Sequence, residues 1–335
     1  MSSLEEKQGK SFHFAAPVTA VGMAGGKTAF ALGDGSLQLV GEDHQLEVAL
    51  PIHQGACLTM KDLPLHGGWL SGGDDGALSI ATPDHQLHRH QLSRKWVEQL
   101  AVATTGQFAV AAGKQLWLGN ARQPTAAPVL FAQTPKTILA MAFDAKGKKL
   151  AVGTASQILI YWLGNDSPPN IIEFTGAPLS LCFSPDGRFL VTALQENALA
   201  GWRMADKAFF RMAGYSSKIH SMGWMKKGLV TSGSEMAVCW PFQAKDGPMG
   251  KRALEIGSFQ GSLVQRVAPQ PKHDELLATG YEDGAVQLHG LPQERSMIIS
   301  RRAFSPITSL AWGGDGRRLA YGRTDGSAAI TPFAL

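Results

Sequence analysis

The stretch "YEDGAVQLHG", residues 281–290, has three relatives within its own chain: "LGDGSLQLVG" at 32–41, "GDDGALSIAT" at 73–82 and "RTDGSAAITP" at 323–332. Each reads Asp-Gly, then Ala or Ser, then apolar residues in alternation, with the acids at Asp34, Asp75, Asp283 and Asp325. The acids stand 41 residues apart in the first pair and 42 in the second. Asp283 stands 208 positions after Asp75, five steps of about 42, so all four copies share one register. Gly after Asp suits a tight turn, because Gly adopts positive φ without steric cost. The alternation after the turn reads as a strand. Each Asp caps its own turn through local side-chain to backbone bonds.

A repeat of about 42 residues matches one four-stranded blade of a β-propeller. The other half of the unit is a strand ending in an aromatic, a Gly turn and a second strand. "ILAMAFDAKGKKLAVG", "PLSLCFSPDGRFLVTA" and "ITSLAWGGDGRRLAYG" show it clearly. Phe143, Phe183 and Trp312 are each followed four positions later by Gly147, Gly187 and Gly316. "IHSMGWMKKGLVTSG" carries Trp224 with a shortened turn, and four weaker copies complete eight units. Their first strands begin near Val18, Ala56, Val97, Ile138, Leu179, Ile219, Leu263 and Ile307. No helical periodicity is sustained, and no interval is long enough for a second domain.

These units resemble WD40 repeats. "FSPDGRFLVTALQENALAGW" (183–202) is the best match, with Trp202 at the place of the family's terminal Trp; Trp240 holds the same place in "SEMAVCW". The resemblance covers residues 11 to 333 and implies an all-β, eight-bladed propeller of four-stranded antiparallel blades. The chain also departs from the pattern. No Gly-His pair precedes a first strand, and the terminal Trp-Asp is missing; Val40, Ala81, His289 and Thr331 stand at the Trp place of the Asp-Gly units. The Asp–His–Ser/Thr–Trp network of typical blades is therefore expected to be absent as a set. The last unit supplies only three strands, and "SFHFA" (11–15) is read as its fourth, a latch that leaves no open sheet edge. Residues 1–10 are expected to be a disordered polar tail, with 11–335 a single domain.

The bulk properties agree with one globular body. Of 335 residues 44% are hydrophobic and 17% charged, and net charge is +4. No Lys or Arg run exceeds two residues, which speaks for a solvated surface rather than a nucleic-acid footprint. Cys57, Cys182 and Cys239 lack paired spacing and are read as free thiols in a reducing compartment. No signal peptide or membrane-spanning run is read, so the expected location is cytoplasmic.

No catalytic motif is found: no G-x-S-x-G, P-loop, dinucleotide fingerprint or H-E-x-x-H. Eight-bladed quinone-dependent dehydrogenases and outer-membrane lipoproteins would need signals this sequence lacks. The chain is read as a non-enzyme without cofactors. "DHQLHRHQL" places His85, His88 and His90 near one edge; three His so close form the alternative reading, a zinc-handling protein. The main reading is a scaffold, a monomeric propeller within a complex, binding an unidentified protein partner but neither nucleic acid nor membrane. By resemblance, partners dock on the loop face around the channel. The contact candidates are Lys95, Trp96, Lys218, Tyr281, Glu282 and Arg323. Trp96 among basic residues suits an interface anchor.

Overall fold

The computed structural model describes residues 3–64, 67–257, 261–291 and 295–333. Alternating apolar residues bounded by Gly turns fold locally into four-stranded antiparallel sheets, and there are eight. Blades 1 to 7 span residues 18–51, 57–91, 99–133, 140–173, 178–212, 222–256 and 264–300. Blade 8 takes residues 307–332 and closes with the strand Lys10–His13. That strand pairs antiparallel with Ser327–Pro332, from Lys10 opposite Ile330 to His13 opposite Ser327. The latch read from the sequence is thus present, and the ring is shut by its two ends.

The core is one apolar cluster per blade interface. Among the described residues, eight clusters join blades 1–2, 2–3 and onward round to 8–1. Second and third strands supply most of it, because both faces of these strands meet a neighbouring blade. Phe189–Leu194 and Ala77–Ala81 are buried at every position. Outer strands bury one face only, as in Ala208–Met212, where Phe210 and Met212 are buried and Phe209 and Arg211 are exposed. Closure matters energetically at 8–1, where Phe12, Phe14 and Phe30 stand 5.4–5.9 Å apart.

The expected disordered tail is corrected over its described part. Leu4–Gln8 is a helix. Its start is a capping box: Glu6 N–H donates to Ser3 Oγ at 3.3 Å, and Ser3 N–H donates to the Glu6 carboxylate at 2.8 Å. Five residues cannot hold a helix alone. Docking does: Leu4 packs on the blade 7–8 core, Ser300 Oγ donates to Glu5, and Gln8 Nε2 donates to the Pro332 carbonyl at 2.6 Å.

Candidate functional site

In an antiparallel meander, the turn between the second and third strands opens at the same end as the connection to the next blade. The eight units therefore gather both kinds of loop on one face. The Asp-Gly turns are built alike. Ser36 N–H donates to Asp34 at 3.0 Å, Ala77 N–H to Asp75 at 3.0 Å, Ala285 N–H to Asp283 at 3.1 Å and Ser327 N–H to Asp325 at 2.9 Å. The Gly that follows has φ of +82° at Gly35, +72° at Gly76, +85° at Gly284 and +85° at Gly326. A second cause also requires Gly. The incoming interblade loop lies on the turn, so a Cβ would strike the Gly55 carbonyl at Gly35, that of Ser93 at Gly76 and that of Phe14 at Gly326. The loop is fixed by bonds to the turn: His53 N–H donates to the Gly35 carbonyl at 3.0 Å, and Ser93 N–H to that of Gly76 at 3.2 Å.

The structure divides the six contact candidates. Lys95, Trp96 and Lys218 are exposed, and Trp96 shows 57% of its surface. Glu282 is half-buried beside its turn. Tyr281 and Arg323 are buried, at 0% and 4% exposure, and are corrected as contact candidates. Each is the last residue of its second strand, Tyr281 in Leu276–Tyr281 and Arg323 in Arg318–Arg323. Arg323 is a structural tie. Its guanidinium donates twice to the Gly284 carbonyl, at 3.1 and 3.0 Å, and to Ser300 and Ser327 hydroxyls at 2.8 and 3.2 Å.

The loop of Trp96 and two loop segments of the next blade carry exposed cations. Lys95 lies across the next blade's turn, its Nζ 3.1 Å from where a Cβ on Gly113 would sit. Lys114 follows that Gly directly. The Thr134 hydroxyl is 3.0 Å from the Lys114 carbonyl and 2.7 Å from that of Lys136, joining the backbone of both lysines. Arg94, Lys95, Lys114 and Lys136 are all exposed, and none forms an ion pair among the described residues. Two other cations on this face meet acids: Arg302 with Asp283 at 2.8 Å, and Arg89 with Asp75 at 3.0 Å. Lys114 and Lys136 escaped the sequence reading, because their loop segments lie about twenty and forty residues from Lys95 in the chain.

The expected absence of a polar blade network is corrected in part. In blade 2, His53 Nδ1 lies 3.1 Å from Asp75 and Nε2 lies 3.0 Å from Ser71 Oγ, so three of the four network positions are filled. Its signal was "IHQG" (52–55), a His at the loop position. In blade 6 Tyr215 stands for the His: its hydroxyl is 2.7 Å from Thr231 Oγ1 and accepts from Trp240 Nε1 at 2.7 Å. In blade 7 His289 takes the Trp place and lies 2.8 Å from both Thr279 and Ser296 hydroxyls. Burial pulls His289 down to about 4. It also lowers His53, against the opposing pull of Asp75.

The histidines of blade 2's outer strand do not converge. His85 Nε2 is 2.9 Å from Glu47 on one side, and His90 Nε2 is 3.1 Å from the Pro124 carbonyl on the other. No group of three metal-capable side chains occurs among the described residues. On the opposite face, a recess of about 740 Å³ is lined by Arg203, Asp206 and Asp246, but these charges pair with one another.

No protein-family model matches the chain. Autophagy-related protein 16 of Arabidopsis thaliana is 22% identical over 309 residues, which cover 85% of this chain and 59% of that protein. The chain thus spans about three-fifths of that relative's length. The C-terminal WD40 domain of Sif2 superposes with a TM-score of 0.76 at 13% identity, covering 98% of this chain and 99% of the other. The computationally designed Ika8 protein reaches 0.76 at 14% identity, covering 96% and 98%.

Proposed function

We propose that this eight-bladed propeller of the WD40 type is a non-catalytic scaffold that binds a protein partner through its loop face. The observation that carries the reading is Trp96: a large aromatic, 57% exposed, on a loop held by bonds to the turn beneath it. An exposed indole offers a partner a large amphipathic surface that can pack and hydrogen-bond. The rigid setting supports docking, since little order is lost on binding. The reading places the protein in the cytoplasm as a monomeric propeller within a complex, bound to neither nucleic acid nor membrane. No helix among the described residues is long and apolar enough to cross a membrane.

The test is Trp96→Ala, compared with wild type in melting temperature and in partner recovery from the native cell. An interface anchor contributes about 2 kcal/mol or more, so affinity falls about thirtyfold while the fold is unchanged. A large loss of melting temperature, or unchanged melting with unchanged recovery, overturns the role of Trp96.

A further inference from the structure

We infer that the segment docking over Trp96 is acidic: an exposed peptide stretch carrying several Asp or Glu around one large apolar side chain. This rests on the docking reading above and adds the partner's chemistry to it.

Like charges are carried on adjoining loop segments. The Lys95 stem lies against Gly113, which places its ammonium beside the turn that carries Lys114. Lys114 and Lys136 are fastened together through the Thr134 hydroxyl, so their backbones cannot separate. Arg94 precedes Lys95 in the same exposed loop. Four exposed cations thus lie on Trp96's own loop and on two loop segments of the next blade, and Glu98 is the exposed acid nearest in sequence. None of the four cations forms an ion pair among the described residues. An anionic partner segment meets this positive charge with complementary charge.

Composition favours peptide carboxylates over a nucleic-acid backbone. Three of the four cations are Lys, point charges on flexible stems that reach carboxylates at varied positions. The cluster is compact and belongs to a chain of net charge +4, where a duplex footprint needs an extended basic stripe. Trp96 supplies what carboxylates do not use, a flat apolar surface for a Leu or Phe between the acids.

The experiment uses the whole chain and three fluorescein-labelled peptides, read by anisotropy. One is glutamate-rich with a central Phe and flanking Leu; in the others Gln or Lys replaces the glutamates. A labelled duplex DNA is the fourth probe. The glutamate peptide is expected to bind tightest, roughly tenfold or more above the Gln peptide, and to weaken as salt rises. Lys114→Glu/Lys136→Glu is expected to lose that advantage. Both side chains are exposed, so the variant keeps the wild-type melting temperature. If the variant is unstable, the salt titration of the wild type decides the matter alone.

The inference is overturned if the Gln or Lys peptide binds as well as the glutamate peptide, if salt has no effect, or if DNA binds more tightly. If Gln and glutamate peptides bind equally and both depend on Trp96, the docking reading stands and the acidic chemistry falls. If neither depends on Trp96, the docking site itself is wrong.

Discussion

Ring closure makes a quantitative claim about the N-terminus. Two truncations separate the docked helix from the closing strand: removal of residues 1–9, and removal of residues 1–16. The first loses a five-residue helix, the partly buried Leu4 and bonds that are exposed or partly so. That costs about 1 kcal/mol. The second also loses the four register pairs from Lys10 to His13. With them go Phe12 and the buried Phe14, both packed on Phe30. The buried Phe14 alone is worth about 3–5 kcal/mol, and with the half-buried Phe12 and the lost strand pairing the total is about 6 kcal/mol. For 335 residues the unfolding entropy is about 0.7 kcal/mol per kelvin. Calorimetry should therefore show a drop of about 1–2 °C for the short truncation and about 9 °C for the long one. Phe14→Ala should fall between them, about 4–7 °C down. The long truncation also bares the edge of Ser327–Pro332, so it should self-associate on size exclusion. Equal melting temperatures for the two truncations would refute the latch.

Gly76→Ala should destabilise by about 2–4 kcal/mol, because φ is +72° and the Ser93 carbonyl occupies the space; a melting temperature like wild type's contradicts the turn-and-loop account. Arg323→Lys should lower the melting temperature yet leave partner recovery intact, since its four bonds are internal; lost recovery in a stable variant would return Arg323 to the interface. Burial lifts the Asp62 carboxyl to about 6, despite the Met23 N–H bond and the charge of Lys61. A folded-state value above the unfolded one means this stability is full below about pH 4 and is lost as pH rises through about 6. Asp62→Asn should therefore match wild type at pH 4 and exceed it by about 1–3 kcal/mol at pH 8; a gap independent of pH argues against this. His289 has the opposite sense: its contribution is full above pH 6.5 and is lost as pH falls towards about 4, so His289→Gln should flatten acid melting curves between those values.

The blade was legible because its signals are local. An Asp-Gly turn closes on its own backbone within two residues, and alternation along a strand reports which face meets a neighbour. Repetition at 41 or 42 residues then implied the ring, since a blade buries its faces only against other blades. The missing fourth strand of the last blade was readable by the same accounting. The helix Leu4–Gln8 was encoded too, in Ser3 and Glu6, but its persistence depends on Ser300 and Pro332 across the closed ring. Exposure of the loop-face residues was decided by tertiary structure alone. Arg323 and Trp96 look equally suited to an interface in one dimension. Arg323 is buried against the Gly284 turn of the neighbouring blade, whereas Trp96 lies exposed in an interblade loop. The network of His53, Ser71 and Asp75 and the meeting of Lys95, Lys114 and Lys136 likewise join residues about twenty or more apart. No periodicity encodes which loop covers which turn, because that is set by how whole blades pack, and packing is a property of the ring.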